Sequence, residues 1–136
     1  MIFIHNEYFK CELPDKWCAE ESSDNLLLYH PDGSGAMTLS FLNVLNIGLS
    51  LDEQVSILAK RFIDRNDIKL SSSFILLNKD GKTILHGSGT TLDSWFIKLW
   101  IVAKYPKIVF VTYESEKKDK EIKICDAIID SIQFVF

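Results

Sequence analysis

Apolar and polar residues alternate along several short stretches of the chain, and a period of two predicts β-strands. The alternation over Phe9–Leu13 ends at Pro14-Asp15. The stretches Asn25–His30 and Ala36–Asn43 are separated by the turn Pro31–Gly35, in which proline fixes one φ and glycine is expected to take a positive φ. We therefore predict three strands in the first third of the chain, the last two joined as a hairpin.

The stretch Ser50–Glu53 carries the signature of a helix start. Serine at the N-cap and glutamate three residues later can each satisfy a backbone N–H of the other. Apolar residues then recur with the spacing of one helical face, at Leu51, Val55, Leu58 and Phe62. We expect this helix to end at Asn66-Asp67.

The second half of the chain predicts four further strands and a second helix. The strands are Phe74–Leu77, Lys82–Thr91, Ser94–Lys104 and Lys107–Glu114, the helix is Glu116–Ile132, and a short edge strand is expected at Gln133–Phe136. The stretch Ser94–Lys104 is apolar on both faces. We therefore expect either a central strand that is covered on both sides, or a strand that is covered on one side and leaves an exposed apolar face on the other. Because the strands follow one another as hairpins, we predict one α+β domain over residues 1–136, with two amphipathic helices packed on a mostly antiparallel sheet of about six to seven strands.

Composition supports a folded domain and narrows the kinds of partner. The chain has 136 residues, of which 47% are hydrophobic, and its net charge is −4, so disorder is excluded. The acidic pI of 5.3 argues against nucleic acid, whose binding needs a basic surface. No apolar run is long enough to span a bilayer. We therefore expect neither a nucleic acid, because of the acidic pI, nor a membrane, because of the short apolar runs, as a partner.

The N-terminus and the cysteines indicate a reducing compartment. The first residues lack the basic and apolar regions of a secretory signal. Cys11, Cys18 and Cys125 are an odd number and do not suggest a disulfide framework. We therefore expect the protein in the cytoplasm.

Motifs for catalysis and metal binding are not satisfied. The stretch Asp80–Thr83 ends like a phosphate-binding loop, but Leu76 stands where that motif requires its first glycine. The stretch His86–Gly89 is not Gly-x-Ser-x-Gly, and its glycines instead indicate a bulge or a close backbone approach within a strand. His5, His30 and His86 are scattered without the paired spacing of metal ligands, so we expect no catalytic residue, no metal and no cofactor.

Several short motifs occur in a recognisable order along nearly the whole chain. They are Phe-x-x-x-Leu-Pro-x-x-Trp (Phe9, Leu13, Pro14, Trp17), Tyr-x-Pro-x-Gly-x-Gly (Tyr29, Pro31, Gly33, Gly35), Leu39-Ser40, the helix start Ser50–Glu53 and a closing Ile-Ile-Asp-Ser-Ile-Gln-Phe at 128–134. The set resembles the Mog1/PsbP-like group of α/β sandwiches and, within it, small bacterial domains. The resemblance implies that fold. It carries no single activity, because the group includes a Ran-GTPase binder, photosystem subunits and exported proteins, and few enzymes. With no signal visible here, the roles of the exported members are not carried over.

Two clusters of side chains are candidate binding residues. Asp15, Glu20, Glu21 and Asp24 are expected in one acidic loop, which is either a solvated surface or a docking surface for a basic partner.

The second cluster is aromatic. Trp95, Phe96, Trp100 and Tyr105 fall within eleven residues. One interpretation is that all four are core residues. The other is that one of Phe96 and Trp100, whichever faces away from the helices, anchors an interface with a partner.

The leading hypothesis is a non-catalytic domain, of adaptor or immunity type, that binds a protein with a basic surface through the acidic loop and the aromatic strand. The alternative is a pocket between sheet and helices for a small molecule or lipid, with weak hydrolase chemistry at Cys18. A third hypothesis is a homo-oligomer whose subunits pair through the edge strand Gln133–Phe136. For the oligomeric state, we expect a monomer or a weak homodimer.

Overall fold

A computed structural model describes residues 1–5, 8–118 and 120–135, and these form eleven strands and two helices. The strands are β1 (Ile2–His5), β2 (Phe9–Glu12), β3 (Cys18–Glu21), β4 (Asn25–Tyr29), β5 (Gly35–Asn43), β6 (Lys69–Leu70), β7 (Ile75–Lys79), β8 (Lys82–Thr90), β9 (Phe96–Lys104), β10 (Lys107–Ser115) and β11 (Gln133–Phe134). The helices are α1 (Leu51–Arg65) and α2 (Glu121–Asp130).

The strands form two antiparallel sheets. The large sheet has eight strands in the order β3-β4-β5-β10-β9-β8-β6, with β7 also paired to β8, and the small sheet has the order β1-β2-β11. The predicted α+β arrangement of two helices on a mostly antiparallel sheet is confirmed. Strand β11 lies within the short edge strand expected at Gln133–Phe136. The described residues hold more strands than the six to seven predicted, because β1, β3 and β6, which are only two to four residues long, are not expected from the sequence. So short a strand shows too little alternation to be distinguished from a loop.

Strand β9 lies in the interior of the large sheet, between β10 and β8, and is buried on both faces. Leu99 and Ile101 pack beneath α1 against Ala59. Trp100 and Val102 point to the opposite face, into the core that α2 and β2 close. The chain is therefore layered, with α1 on one face of the large sheet and α2 with the small sheet on the other, and β9 leaves no exposed apolar face.

Helix α1 begins and ends where the sequence predicts. The Ser50 hydroxyl accepts a hydrogen bond from the Glu53 backbone N–H at 3.1 Å, and the Glu53 carboxylate accepts one from the Ser50 backbone N–H at 3.1 Å. This reciprocal pair satisfies two of the donors that every helix start leaves open. The helix ends at Arg65, with Asn66 as its C-cap.

Helix α2 begins at Glu121, five residues later than the predicted Glu116. Its N-cap is Lys120, whose side chain makes no capping hydrogen bond. Positive side chains are unfavourable at a helix N-terminus, where the backbone dipole is positive. Lys117, Lys118 and Lys120 therefore disfavour an earlier start, whereas Glu121 places a negative charge in the first turn of the helix. Asp119 and Phe136, which the predicted helix and edge strand included, lie outside the described residues.

The two glycines of β8 allow a close approach, as predicted. A Cβ atom at Gly87 would lie 2.5 Å from the ring of Phe74, and one at Gly89 would lie 2.3 Å from the carbonyl oxygen of Lys69. The strand therefore accepts β6 and the aromatic ring of Phe74 along one edge, and the stretch His86–Gly89 is structural.

The capping box can be tested by mutation. We expect Ser50→Ala to lower the free energy of unfolding by about 1 kcal/mol, because a helix start loses its side-chain acceptor. Ser56→Ala is the matched control, since Ser56 is exposed in the same helix and only donates to the Asp52 carbonyl at 2.8 Å. Urea denaturation measures both variants, and an equal loss in the two would contradict a specific role for the cap.

Candidate functional site

The large sheet is uncovered on one face at its β3–β4–β5 end. Leu26 and Leu28 of β4 are core residues, so Leu27 and Tyr29 point to the opposite face. Helix α1 lies on that same face but packs only over β8, β9 and β10. The uncovered part is a shallow concavity of about 540 Å³. We call it the open sheet face, and its principal residues are Glu20, Leu27, Tyr29, Thr38, Trp95 and Glu114.

Trp95 is the largest apolar side chain on the open sheet face, and 44% of it is exposed. It stands in a tight turn before β9. Its backbone N–H donates to the Thr91 hydroxyl at 3.1 Å, and its carbonyl accepts from the Thr91 N–H at 2.8 Å. Ser94 takes a φ of +67° in this turn. The turn therefore holds the indole at the edge of the concavity.

Glu20 and Tyr29 form a hydrogen-bonded pair on adjacent strands. The Tyr29 hydroxyl donates to the Glu20 carboxylate at 2.6 Å. This hydrogen bond, with the negative charge of Glu20, raises the pKa of Tyr29 to about 12. At neutral pH the pair consequently presents a neutral phenol beside a carboxylate, and Glu114 adds a second carboxylate to the same face.

The turn that borders the open sheet face is tied to α2. One carboxylate oxygen of Glu121 accepts from the Tyr113 hydroxyl at 3.0 Å and from the Gly35 backbone N–H at 3.3 Å. A Cβ atom at Gly33 would lie 2.3 Å from the Glu121 carboxylate, and one at Gly35 would lie 2.3 Å from the Glu114 carbonyl oxygen. The expectation of a positive φ in this turn is wrong, since neither glycine has one. These glycines provide space for a close contact instead.

The four predicted acidic residues are all exposed, but they do not share one loop. Glu20 and Glu21 lie on β3, which pairs with β4 as the edge of the large sheet, and Asp24 lies in the turn between these strands. Asp15 lies in the turn after β2. Pairing Glu20 with Leu27 and Glu21 with Leu26 makes this segment a strand, so the prediction of a loop is wrong. Glu20 alone of the four lines the open sheet face.

The two aromatic residues predicted to bind a partner point to the other side of the sheet. Trp100 is 2% exposed, and its indole N–H donates to Asp126 of α2 at 3.0 Å. Lys98 donates to the same carboxylate at 2.8 Å. Phe96 is half-buried against the same core. Trp100 is therefore not available to a partner. Because side chains alternate along the chain, its near neighbour Trp95 reaches the open sheet face instead.

The cysteine and histidine side chains that the structure describes do not gather into a site. Burial raises the pKa of the Cys11 thiol to about 12. Cys18 is half-buried, and its thiol lies 3.8 Å from the Lys16 carbonyl oxygen. The His30 ring accepts a hydrogen bond from the Asp32 N–H at 3.0 Å, and the His5 side chain lies outside the described residues. Within the described residues no three of His, Cys, Asp and Glu are arranged to hold a metal ion.

Comparison with known proteins identifies the fold. No protein-family model and no curated protein sequence matches the chain. Among solved structures, the solution structure of cyanobacterial PsbP (CyanoP) from Synechocystis sp. PCC 6803 matches with a TM-score of 0.74, covering 98% of this chain and 91% of that one. The chain has a PsbP-like fold. The resemblance predicted from the sequence motifs is thus confirmed, although the two sequences are 11% identical.

A second solved structure shares the PsbP-like fold over part of a longer chain. A protein from Bacteroides thetaiotaomicron VPI-5482, with a crystal structure at 1.50 Å resolution, matches with a TM-score of 0.56 and 17% identity. The match covers 98% of this chain and 47% of that protein, so this chain spans about half its length. At such identities the likeness establishes the fold alone. Neither helix, over the residues described, is long and apolar enough to cross a membrane.

The Glu20–Tyr29 pair predicts a titration that can be measured. In ring-labelled protein followed by NMR, Tyr29 should titrate near pH 12 rather than 10, and Glu20→Gln should move its pKa toward 10. Because the folded-state pKa is raised, the pair contributes stability below about pH 10 and loses it as the pH rises toward 12. Tyr113, whose pKa is also about 12 but which pairs with Glu121, is the internal control and should not move. A Tyr29 titration that Glu20→Gln leaves unchanged would contradict the pair.

Proposed function

We propose that this PsbP-like domain is a non-catalytic protein-binding module, and that a partner with a basic surface docks on the open sheet face. The observation that carries this proposal is the position of Trp95, an exposed indole on an uncovered sheet face that also bears Glu20 and Glu114. An adaptor or immunity-type role, in the cytoplasm, is the biological setting that we propose for such a module.

The combination of an aromatic anchor with surrounding carboxylates favours a protein partner. Tryptophan is among the residues that contribute most to binding when a partner buries them, because it removes a large apolar area from water. Leu27 and Tyr29 extend the apolar surface beside Trp95. The carboxylates around them steer a positively charged surface and raise its association rate. Asp24, exposed in the turn between β3 and β4, adds a further negative charge near the concavity.

Binding, and not chemistry, suits the titratable groups of this face. The Glu20 carboxylate accepts a hydrogen bond from the Tyr29 hydroxyl at 2.6 Å, and this pairing keeps Tyr29 protonated well above neutral pH. A phenol with a raised pKa is a poor nucleophile and a poor general base at pH 7. It is, however, a good fixed donor that orients the carboxylate toward a partner's lysine or arginine.

The electrostatic part of the proposal is tested by charge reversal. We expect Glu20→Lys/Glu114→Lys, which reverses the two carboxylates of the open sheet face, to abolish the salt-sensitive capture of partners from a lysate of the native organism, read by mass spectrometry at low and high salt. Both residues are exposed, so the fold should be retained. Glu12→Lys/Asp64→Lys is the matched control, since it makes the same change of charge at exposed positions away from the open sheet face. Equal loss of capture in both double variants would indicate a general charge effect and would contradict the proposal.

The aromatic part of the proposal has its own test. Trp95→Ala should weaken binding of a captured partner by ~30-fold or more, the usual loss for a tryptophan hot spot. The control is Trp95→Phe, which keeps an apolar ring and should retain much of the affinity. Calorimetric titration of the purified pair measures both. An affinity unchanged by Trp95→Ala would place the interface elsewhere.

A further inference from the structure

A second exposed apolar region lies beside α1, separate from the open sheet face. Residues 44–50 connect β5 to α1, and three apolar side chains of this loop are exposed, with Leu45 and Ile47 at 59% and Leu49 at 36%. Together with Leu42, Ile57 and Leu58 they line a groove of about 400 Å³ between the loop, the helix and the end of β5. We call it the α1 groove. Contiguous exposed apolar side chains of this kind mark binding sites more often than chance.

The loop that forms one wall of the α1 groove is fixed to the helix by the buried side-chain amide of Gln54. Gln54 is 6% exposed, and its side chain spans the loop from one end to the other. Its oxygen accepts from the Leu45 N–H at 2.9 Å, and its nitrogen donates to the carbonyls of Leu45 at 2.8 Å and Leu49 at 3.2 Å. The Val44 N–H also donates to the Pro106 carbonyl at 2.8 Å. Because the loop is already ordered, a ligand would bind without the entropic cost of ordering it.

One end of the α1 groove is positively charged. Arg61 lines the groove and also a smaller depression of about 320 Å³ next to it, where Arg65 stands one helical turn further on. Leu42 and Leu58 line both, so the two depressions are adjacent. No carboxylate of residues 1–5, 8–118 or 120–135 lies within ion-pair distance of either arginine. The groove therefore combines an apolar trough with two uncompensated guanidinium groups at one end.

From this arrangement we infer that the α1 groove binds a single-chain amphiphile with an anionic head, of the class of medium-chain fatty carboxylates. The apolar side chains of the loop and helix would cover the tail. Arg61 and Arg65 would hold the carboxylate, since a guanidinium matches a carboxylate with two parallel hydrogen bonds. The volume suits one unbranched chain and is too small for the two chains of a phospholipid. The inference does not depend on the proposed protein-binding function, because the two sites share no lining residue.

The test is a titration of the isotope-labelled protein with sodium decanoate below its micelle concentration, followed by NMR chemical shifts. We expect saturable shifts confined to residues of the 44–50 loop, α1 and the end of β5. Decanol and decyltrimethylammonium, which have the same tail and lack the anionic head, should bind about tenfold more weakly or not at all, because they lose the charge-assisted hydrogen bonds.

Two sets of variants assign the head and the tail. Arg61→Gln/Arg65→Gln should weaken decanoate binding by about tenfold and leave decanol binding unchanged. The charge-matched control is Lys60→Gln/Lys123→Gln, which also removes two positive charges at exposed positions but outside the α1 groove. Leu45→Ser/Ile47→Ser should weaken both ligands, and since these side chains are exposed the fold should be retained, as circular dichroism can verify.

Three results would overturn the inference. They are an absence of saturable shifts with decanoate, equal affinity for decanoate and decyltrimethylammonium, and binding to phosphatidylglycerol vesicles without binding of monomeric decanoate. Binding to vesicles alone would indicate that the groove recognises an anionic membrane surface and not a single amphiphile.

Discussion

Helix α1 packs on only half of one face of the large sheet, and this offset decides which surfaces of the protein are available. Small and branched side chains, Ala59 and Val55, bring the helix close to Leu99 and Ile101 of β9. That contact leaves β3, β4 and the start of β5 without a cover on the same face. Both the open sheet face and the α1 groove lie next to the part of the sheet that α1 covers, where its packing against the strands stops.

The elements that depend on local signals could be predicted from the sequence. The Ser50–Glu53 capping box is reciprocal and short in range, so it specifies the start of α1 wherever the helix packs. The two-sided apolar pattern of β9 favoured a strand covered on both faces, because only such a strand buries all of its apolar side chains. By contrast, β3 is a strand only because Cys18–Glu21 pairs with β4, and its own four residues show no apolar alternation.

The candidate sites depend on which face of the sheet each side chain occupies and on contacts between residues distant in sequence. Local sequence patterns do not contain this information. Trp95 and Trp100 look equivalent in the sequence. An odd number of positions separates them, so they end on opposite faces, with one indole exposed and the other donating to Asp126. Leu45, Ile47 and Leu49 alternate like a strand, which was a signal available in the sequence. Their exposure, however, follows from the hydrogen bonds of Gln54, nine residues beyond Leu45.

The two regions carry opposite charge on one continuous face. Along β5, Ala36 and Thr38 line the open sheet face beside Glu20 and Glu114, whereas Ser40 and Leu42 lie beside Arg61 and Arg65. A basic protein surface is attracted to the first region and repelled by the second, and an anionic amphiphile experiences the reverse. Since exposed charges are screened beyond about 10 Å at moderate salt, each region acts on its own ligand at short range. The incomplete coverage by α1 thus leaves two surfaces of opposite charge, and the charge of each favours a different class of ligand.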